Sequence, residues 1–289
     1  MFTYFTDTDT DITPEEAKKI GFKLISMPYS INDKDVYPYE NFDTFNSHEF
    51  YDSLRKGTLP KTFAISPEKY KSYFEPEFKK GNDILYVSFS KAMSGTFNAM
   101  NIALDELKEL YPERKFYQID TKGITIMSNI IVKEIADMLN SGKTVEEIVE
   151  WSKTEVMHYA TYFFADNLSF FRKSGRVTNL KGFMGDLFGV RPILNMNADG
   201  MMTNIDKTKG RMGAILKLVD YVKELGDDVA NYRIIIGHSD NLELAQKLEA
   251  ELKKVFGDNL KIEYVIVNPT AGSHCGPDGI GVAFHSTRR

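Results

Sequence analysis

The sequence predicts an α/β protein of two domains: an N-terminal domain built on a parallel sheet over residues 1–160, and a C-terminal α+β domain over residues 161–289. Three observations lead there. The 289 residues exceed what a single domain of about 150 residues accounts for. Strand-like and helix-like patterns alternate through the first half, the order that gives a parallel sheet with helices on both faces. The second half places the turn signal ADGM (198–201) between apolar runs, which reads as an antiparallel hairpin.

Each element has its own reason. FTYFTD (2–7) is a strand stopped by Asp7, and PEEAKKIGF (14–22) is a helix with Thr13 as N-cap and Pro14 just inside. KLISMPYSI (23–31) and DILYVSFS (83–90) are apolar strands. After the loop KAMSG, TFNAMNIALDELKELY (96–111) carries apolar residues at helical spacing. KFYQIDT (115–121) is the next strand, followed by helices around 125–140 and 144–157. In the second half YATYFFADNL (159–168) and 189–209 read as strands, helices fall at 212–225 and 241–256, and YRIIIGHS (232–239) and KIEYVIVN (261–268) are further strands.

Composition narrows function. A 42% hydrophobic content fills a sizeable core. The net charge of −5 argues against a general nucleic-acid or membrane-surface binder, which needs clustered basic charge. One cysteine, Cys275, allows no intrachain disulfide, and the five histidines form no H-x-x-x-H or H-E-x-x-H pattern, so a zinc enzyme is not expected. The N-terminus lacks the basic-then-apolar pattern of a signal peptide, and ITIMSNIIV (124–132) is too short to span a bilayer. A cytoplasmic protein without stable membrane insertion is the expectation. Twelve Met and twenty Phe make an apolar load of flexible or flat side chains.

Four stretches carry candidate chemistry. Asp7-Thr8-Asp9-Thr10-Asp11 fails as a calcium loop, because Ile12 and Lys18 stand where Gly and Glu are needed. A magnesium-dependent, haloacid-dehalogenase-like phosphatase using Asp7 and Asp9 is the alternative function. Asp11 is wrong for that motif, and the acidic pair Asp227-Asp228 follows a helix instead of ending a strand. A polar strand-to-helix turn is the plainer reading. Ser94-Gly95-Thr96 opens a helix after a strand, where amide N–H groups and hydroxyls suit a carboxylate or phosphate, although ordinary N-capping uses the same residues. Arg172, Lys173 and Arg176 surround a Ser-Gly turn that could meet a phosphate or simply face solvent. Finally, His274 sits in a Gly/Pro-rich stretch (269–279) directly after a strand and is presented there as on a loop. Cys275 beside it has no orienting partner and is not read as a nucleophile. There is no G-x-x-x-x-G-K-[ST] or G-x-G-x-x-G, so no P-loop or dinucleotide site is expected.

Taken in order, FTDTDTDI, PKTFAISPEKY around Thr62, SFSKAMSGTFNAM, LSFFRKSGRV, VRPIL followed by DG, GHSDN and SHCGPDGIGVAF resemble the DegV family over about residues 2–286. The resemblance implies a two-domain fold with an acyl chain held in an apolar interior. It also implies a bacterial fatty-acid-binding protein, without chemistry of its own or cofactor, that presents a long-chain fatty acid to a separate dihydroxyacetone-kinase-like fatty acid kinase. By the same resemblance the carboxylate falls to Thr62, Ser94 and His274, two hydroxyls and an imidazole able to supply a third, charged or neutral, donor. Gly95, Thr96, Arg172 and Arg176 become second-tier head-group contacts, and Arg211 a partner-docking residue. Met93, Phe97, Phe183, Met184 and Phe188 are the first candidates to line the interior. Two stretches depart from the family pattern: Phe63-Ala64-Ile65 where Ser-Gln-Pro is common, and Ser273-His274-Cys275-Gly276-Pro277-Asp278 where T-H-T-G-P-G is common.

Overall fold

The structure is a computed structural model that describes residues 1–166, 168–178 and 189–289. Its first sheet is parallel throughout, in the order β2 (Phe22–Ile25), β1 (Phe2–Asp7), β6 (Asp83–Ser88), β7 (Phe116–Asp120). Helix α1 (Pro14–Ile20) joins β1 to β2, and Thr13 and Glu16 form the capping box that starts it. Helices α3 (Pro67–Lys79) and α4 (Thr96–Leu110) flank β6 in sequence and pack on one another.

The expected strand 23–31 is two strands. It breaks at Ser26–Pro28, where the Ser26 hydroxyl donates to the Pro38 carbonyl and Pro28 has no N–H to give a ladder. The chain then leaves the first sheet for a small antiparallel sheet of order β4 (Lys34–Val36), β3 (Tyr29–Ile31), β5 (Lys61–Thr62), with α2 (Ser47–Arg55) in the same excursion. Arg55 fastens this excursion to the second half, reaching Asp240 at 2.6 Å and Asp278 at 3.2 Å.

The second sheet is mixed, in the order β13 (Lys261–Ile266), β12 (Arg233–His238), β14 (Ile280–His285), β8 (Tyr159–Phe164), β10 (Val190–Met196), β11 (Met202–Lys209), β9 (Val177–Thr178). The ADGM hairpin is present: β10 and β11 pair antiparallel, and Gly200 takes the positive φ of 81° at its tip. Helices α8 (Gly210–Leu225) and α9 (Leu242–Phe256) cover one face. The other face meets α5 (Ile126–Asn140), which is followed by α6 (Val145–Glu155). Period-two alternation makes this two-sided burial work: Ile234 and Ile236 join the core under α8 and α9, while Ile235 joins the core shared with the first sheet. The expected division after residue 160 falls within β8, whose strand begins at Tyr159. Two short helices complete the described residues, α7 (Ser169–Ser174), ended by Gly175, and α10 (Pro269–Cys275).

The stretch 269–275, expected as a loop, is thus a helix. Asn268 caps it through a side-chain acceptor for the Ala271 N–H, and Pro269 occupies the first turn where no N–H is required. His274 sits in its last turn.

Candidate functional site

The site forms where the ends of β1 and β6 face α10. After β6 the chain makes a tight turn capped by Ser90, whose Oγ accepts from the Ala92 N–H at 3.3 Å and donates to the Gly200 carbonyl at 2.7 Å. The tip of the β10–β11 hairpin thereby holds the loop that carries Ser94. Ser94 itself is extended, and its Oγ accepts from the Thr96 N–H at 3.2 Å. Thr96 is buried and already engaged, accepting from the Ile65 N–H and sharing a hydrogen bond with the Tyr70 hydroxyl. From the other side Thr62, the end of β5, meets α10: Thr62 Oγ1 and His274 Nε2 share a hydrogen bond of 2.9 Å.

These residues line one polar chamber of about 720 Å³, counting the open space at its mouth. Thr62, Ser94, Gly95, Thr96, Arg176 and His274 all face it. Arg176 also donates to the Ser174 carbonyl. Burial, aided by the Arg176 charge, pulls the His274 imidazole down to about 4, so at neutral pH it is a neutral hydrogen-bonding group and not the charged donor it could have been. Arg172 lies exposed on α7 and does not line the chamber. Arg211, at the start of α8, forks onto Asp166 at 2.8 and 3.0 Å and keeps 44% of its side chain exposed.

A second, apolar chamber, about 660 Å³ when the space open to solvent is counted, adjoins the first and shares Met93, Ile124, Ala271 and His274 as common wall. Phe163, Phe164 and Phe171 with Met196 and Met202 line its far side. Of the residues expected to line an apolar interior, Met93 does so; Phe97 is buried against Phe89, with ring centroids 5.0 Å apart, and faces neither chamber. Phe183, Met184 and Phe188 lie outside the described residues. The lining from β8, β10 and β11 carries no motif in the sequence. Alternation along YATYFF could have flagged Phe163, but only strand pairing says which face of a two-sided sheet it takes.

The acidic run gives no support to the phosphatase alternative. Asp7 is fully buried, and its carboxyl accepts from the Tyr86 hydroxyl at 2.9 Å and from the Phe89 and Asp9 N–H groups at 3.0 Å each. It is enclosed and hydrogen-bonded, and that burial raises it to about 7, unlike the accessible ionised carboxylate a nucleophile requires. Among the described residues, no group of three or more His, Cys, Asp or Glu side chains is arranged to hold a metal ion. Asp11 accepts from the Asn268 backbone and side chain at 2.8 and 2.7 Å, which ties the turn after β1 to the cap of α10. Cys275 faces the apolar chamber, and burial pushes its thiol up to about 12, the inert form. Among the described residues, no helix is long and apolar enough to cross a membrane.

Comparison with known proteins identifies the family and the fold. The family model described as "Uncharacterised protein, DegV family" matches residues 2–287. A DegV domain-containing protein of Clostridium perfringens is 28% identical over 285 residues, spanning 98% of this chain and 97% of the relative. Two solved structures share the fold. A DegV family protein from Thermus thermophilus, described for its fatty acid binding, superposes with a TM-score of 0.85 at 18% identity, covering 99% of both chains. A DegV family protein from Eubacterium eligens, loaded with heptadecanoic acid, also gives 0.85 at 20% identity, covering 99% of this chain and 100% of its own.

Proposed function

The chain belongs to the DegV family, and we propose that it is an intracellular carrier that buries a long-chain fatty acid and presents its carboxylate to a dihydroxyacetone-kinase-like fatty acid kinase. The observation that carries this reading is the shared wall: a chamber of hydroxyls and imidazole opens directly beside one lined by Phe and Met. In this reading Thr62, Ser94 and His274 receive the carboxylate, with Arg176 as the nearby cation. The alkyl chain runs past Met93 into the apolar chamber, where thioether side chains adjust to its shape.

Magnitudes assign the roles. Burying about fourteen methylenes at roughly 0.8 kcal/mol each offers on the order of 11 kcal/mol before ordering costs. The polar groups add less and fix orientation, leaving the carboxyl at the mouth where a kinase reaches it. The chain itself performs no step, and Arg211, paired with Asp166 at the start of α8, is the docking residue we assign to the kinase.

Isothermal titration with oleate tests the reading. Each of Thr62→Ala, Ser94→Ala and His274→Ala should weaken binding roughly tenfold to a hundredfold, the worth of one hydrogen bond to a charged group, with little change in thermal midpoint. A triple variant that binds oleate as tightly as the parent, or a parent that binds none, overturns the assignment.

A further inference from the structure

Among the described residues, Asp9 is the one acid lining the chamber, and its buried carboxyl has an oxygen without a partner. Its backbone is fixed on both sides: its N–H donates to Asp7 Oδ1 at 3.0 Å, and its carbonyl accepts from the Thr125 N–H at 2.7 Å. Its side chain lines the polar chamber with Thr62, Ser94 and His274, and the residue is only 5% exposed. Oδ1 is buried with no hydrogen-bond partner. No ion pair to Asp9 occurs among the described residues.

Taking the chamber as a fatty-acid site, as proposed above, we infer that Asp9 is a further ligand-binding residue, a neutral carboxylic acid whose O–H donates to the carboxylate of the bound fatty acid. The charge balance favours this. The groups facing Asp9 are Asp7 and Asp11 on its own turn, Tyr86 from β6, Tyr70 from α3, His274 from α10 and Arg176. His274 is neutral, so among the described residues of the chamber lining Arg176 is the single cation, and it balances one carboxylate, not two. Burial, with Asp7 and Asp11 beside it, already holds Asp9 well above the ordinary carboxylate range. An entering carboxylate adds a further negative charge and holds that proton in place. The pair then carries one proton and one charge across two carboxyl groups, the arrangement two adjacent acids adopt when both cannot ionise.

Proton linkage follows. Where the free protein has lost the Asp9 proton, fatty acid must bind together with a proton, and affinity falls about tenfold per pH unit. His274 titrates too low to contribute there. Asp7 and Asp11, held at about 7 and about 8, remain in any Asp9 variant and serve as internal controls.

The test is titration calorimetry with oleate on the full chain at a series of pH values from about 6 to about 10, in two buffers of different ionisation enthalpy, repeated with Asp9→Asn, which keeps a donor but cannot titrate. Where the free parent has given up the Asp9 proton it should take up more protons per oleate than Asp9→Asn, and its affinity should fall more steeply with pH than the variant's. Asp9→Thr gives a second non-titrating donor should the amide misfold. Equal proton uptake in parent and variants overturns the role of Asp9 while leaving the carrier reading standing. A parent that binds no oleate overturns both.

Discussion

Asp7 and Asp11 show how single carboxyl groups set the pH response of the fold. Burial is the first cause for each, and it holds them at about 7 and about 8 against an ordinary value of 3.8. Between that value and its own, each is protonated in the folded chain and ionised in the unfolded one. The folded state binds the extra proton, so stability falls as pH climbs through the window and levels off above it. His238 and His274, held low by burial, act in the opposite sense only below the usual histidine value of 6.5. The clean window is therefore about pH 6.5 to 8, where urea melts should show a falling midpoint. Asp11→Asn, which keeps an acceptor for Asn268, should flatten the upper part of that fall. A midpoint that stays flat across the window would mean the acids are ionised in the folded state as well. At this scale the sequence was legible only through ordered motifs. Thr62 and His274 stand 212 positions apart, and no local periodicity pairs them. The acids of the D-x-D run were visible as a group. Their separate fates depend on Tyr86 and Phe89, which claim Asp7 and leave Asp9 to the chamber.

Helix α10 was hidden by the residues that let it pack. Glycine, proline and serine read as a loop, yet Gly272 is there because the helix lies against α2: a Cβ at 272 would sit 2.6 Å from the Tyr51 hydroxyl and 3.2 Å from Phe50 Cε1. Tyr51 also donates to the Val267 carbonyl at 2.7 Å, and Thr270 donates to the Met27 carbonyl at 2.7 Å, so α10 is clamped from both sides. The excursion carrying α2 was equally unreadable, since its short strands lack a period long enough to register and depend on this packing. By contrast α1, α4 and the β10–β11 hairpin were legible because caps, helical spacing and turn residues are local signals. Gly272→Ala should force α2 and α10 apart by a few tenths of an ångström or more. We expect a loss of about 1–3 kcal/mol in stability and a weaker grip on oleate, because His274 moves with its helix. Thermal denaturation alongside oleate titration checks this, and an unchanged midpoint would show that α2 yields freely.

Across the whole molecule, the parallel and mixed sheets share one apolar core, which runs from Phe5 and Val87 through α5 to Ile235 and Ala283. The second core, under α8 and α9, belongs to the mixed sheet alone. Among the described residues the buried Met and Phe thus divide between packing and the chamber wall, a split that depends on strand facing and is absent from any count. The chambers lie at the seam, with Met93 and Ile124 from the first half opposite Phe163, Met196 and Met202 from the second. A ligand filling both would adhere the two halves as well as bind. At about a hundredfold excess over Kd, a ligand that binds only the folded chain stabilises it by about 2.7 kcal/mol, a rise in midpoint of roughly 5–10 °C for a chain this long. The dependence on chain length is the sharper test. Each buried methylene adds about 0.8 kcal/mol, about fourfold in Kd, so at one fixed concentration the shift should grow stepwise from octanoate to palmitate. Acetate, which reaches only the polar chamber, should give none. Equal shifts for acetate and palmitate would mean that the alkyl chain never enters the seam and that the apolar chamber is packing alone.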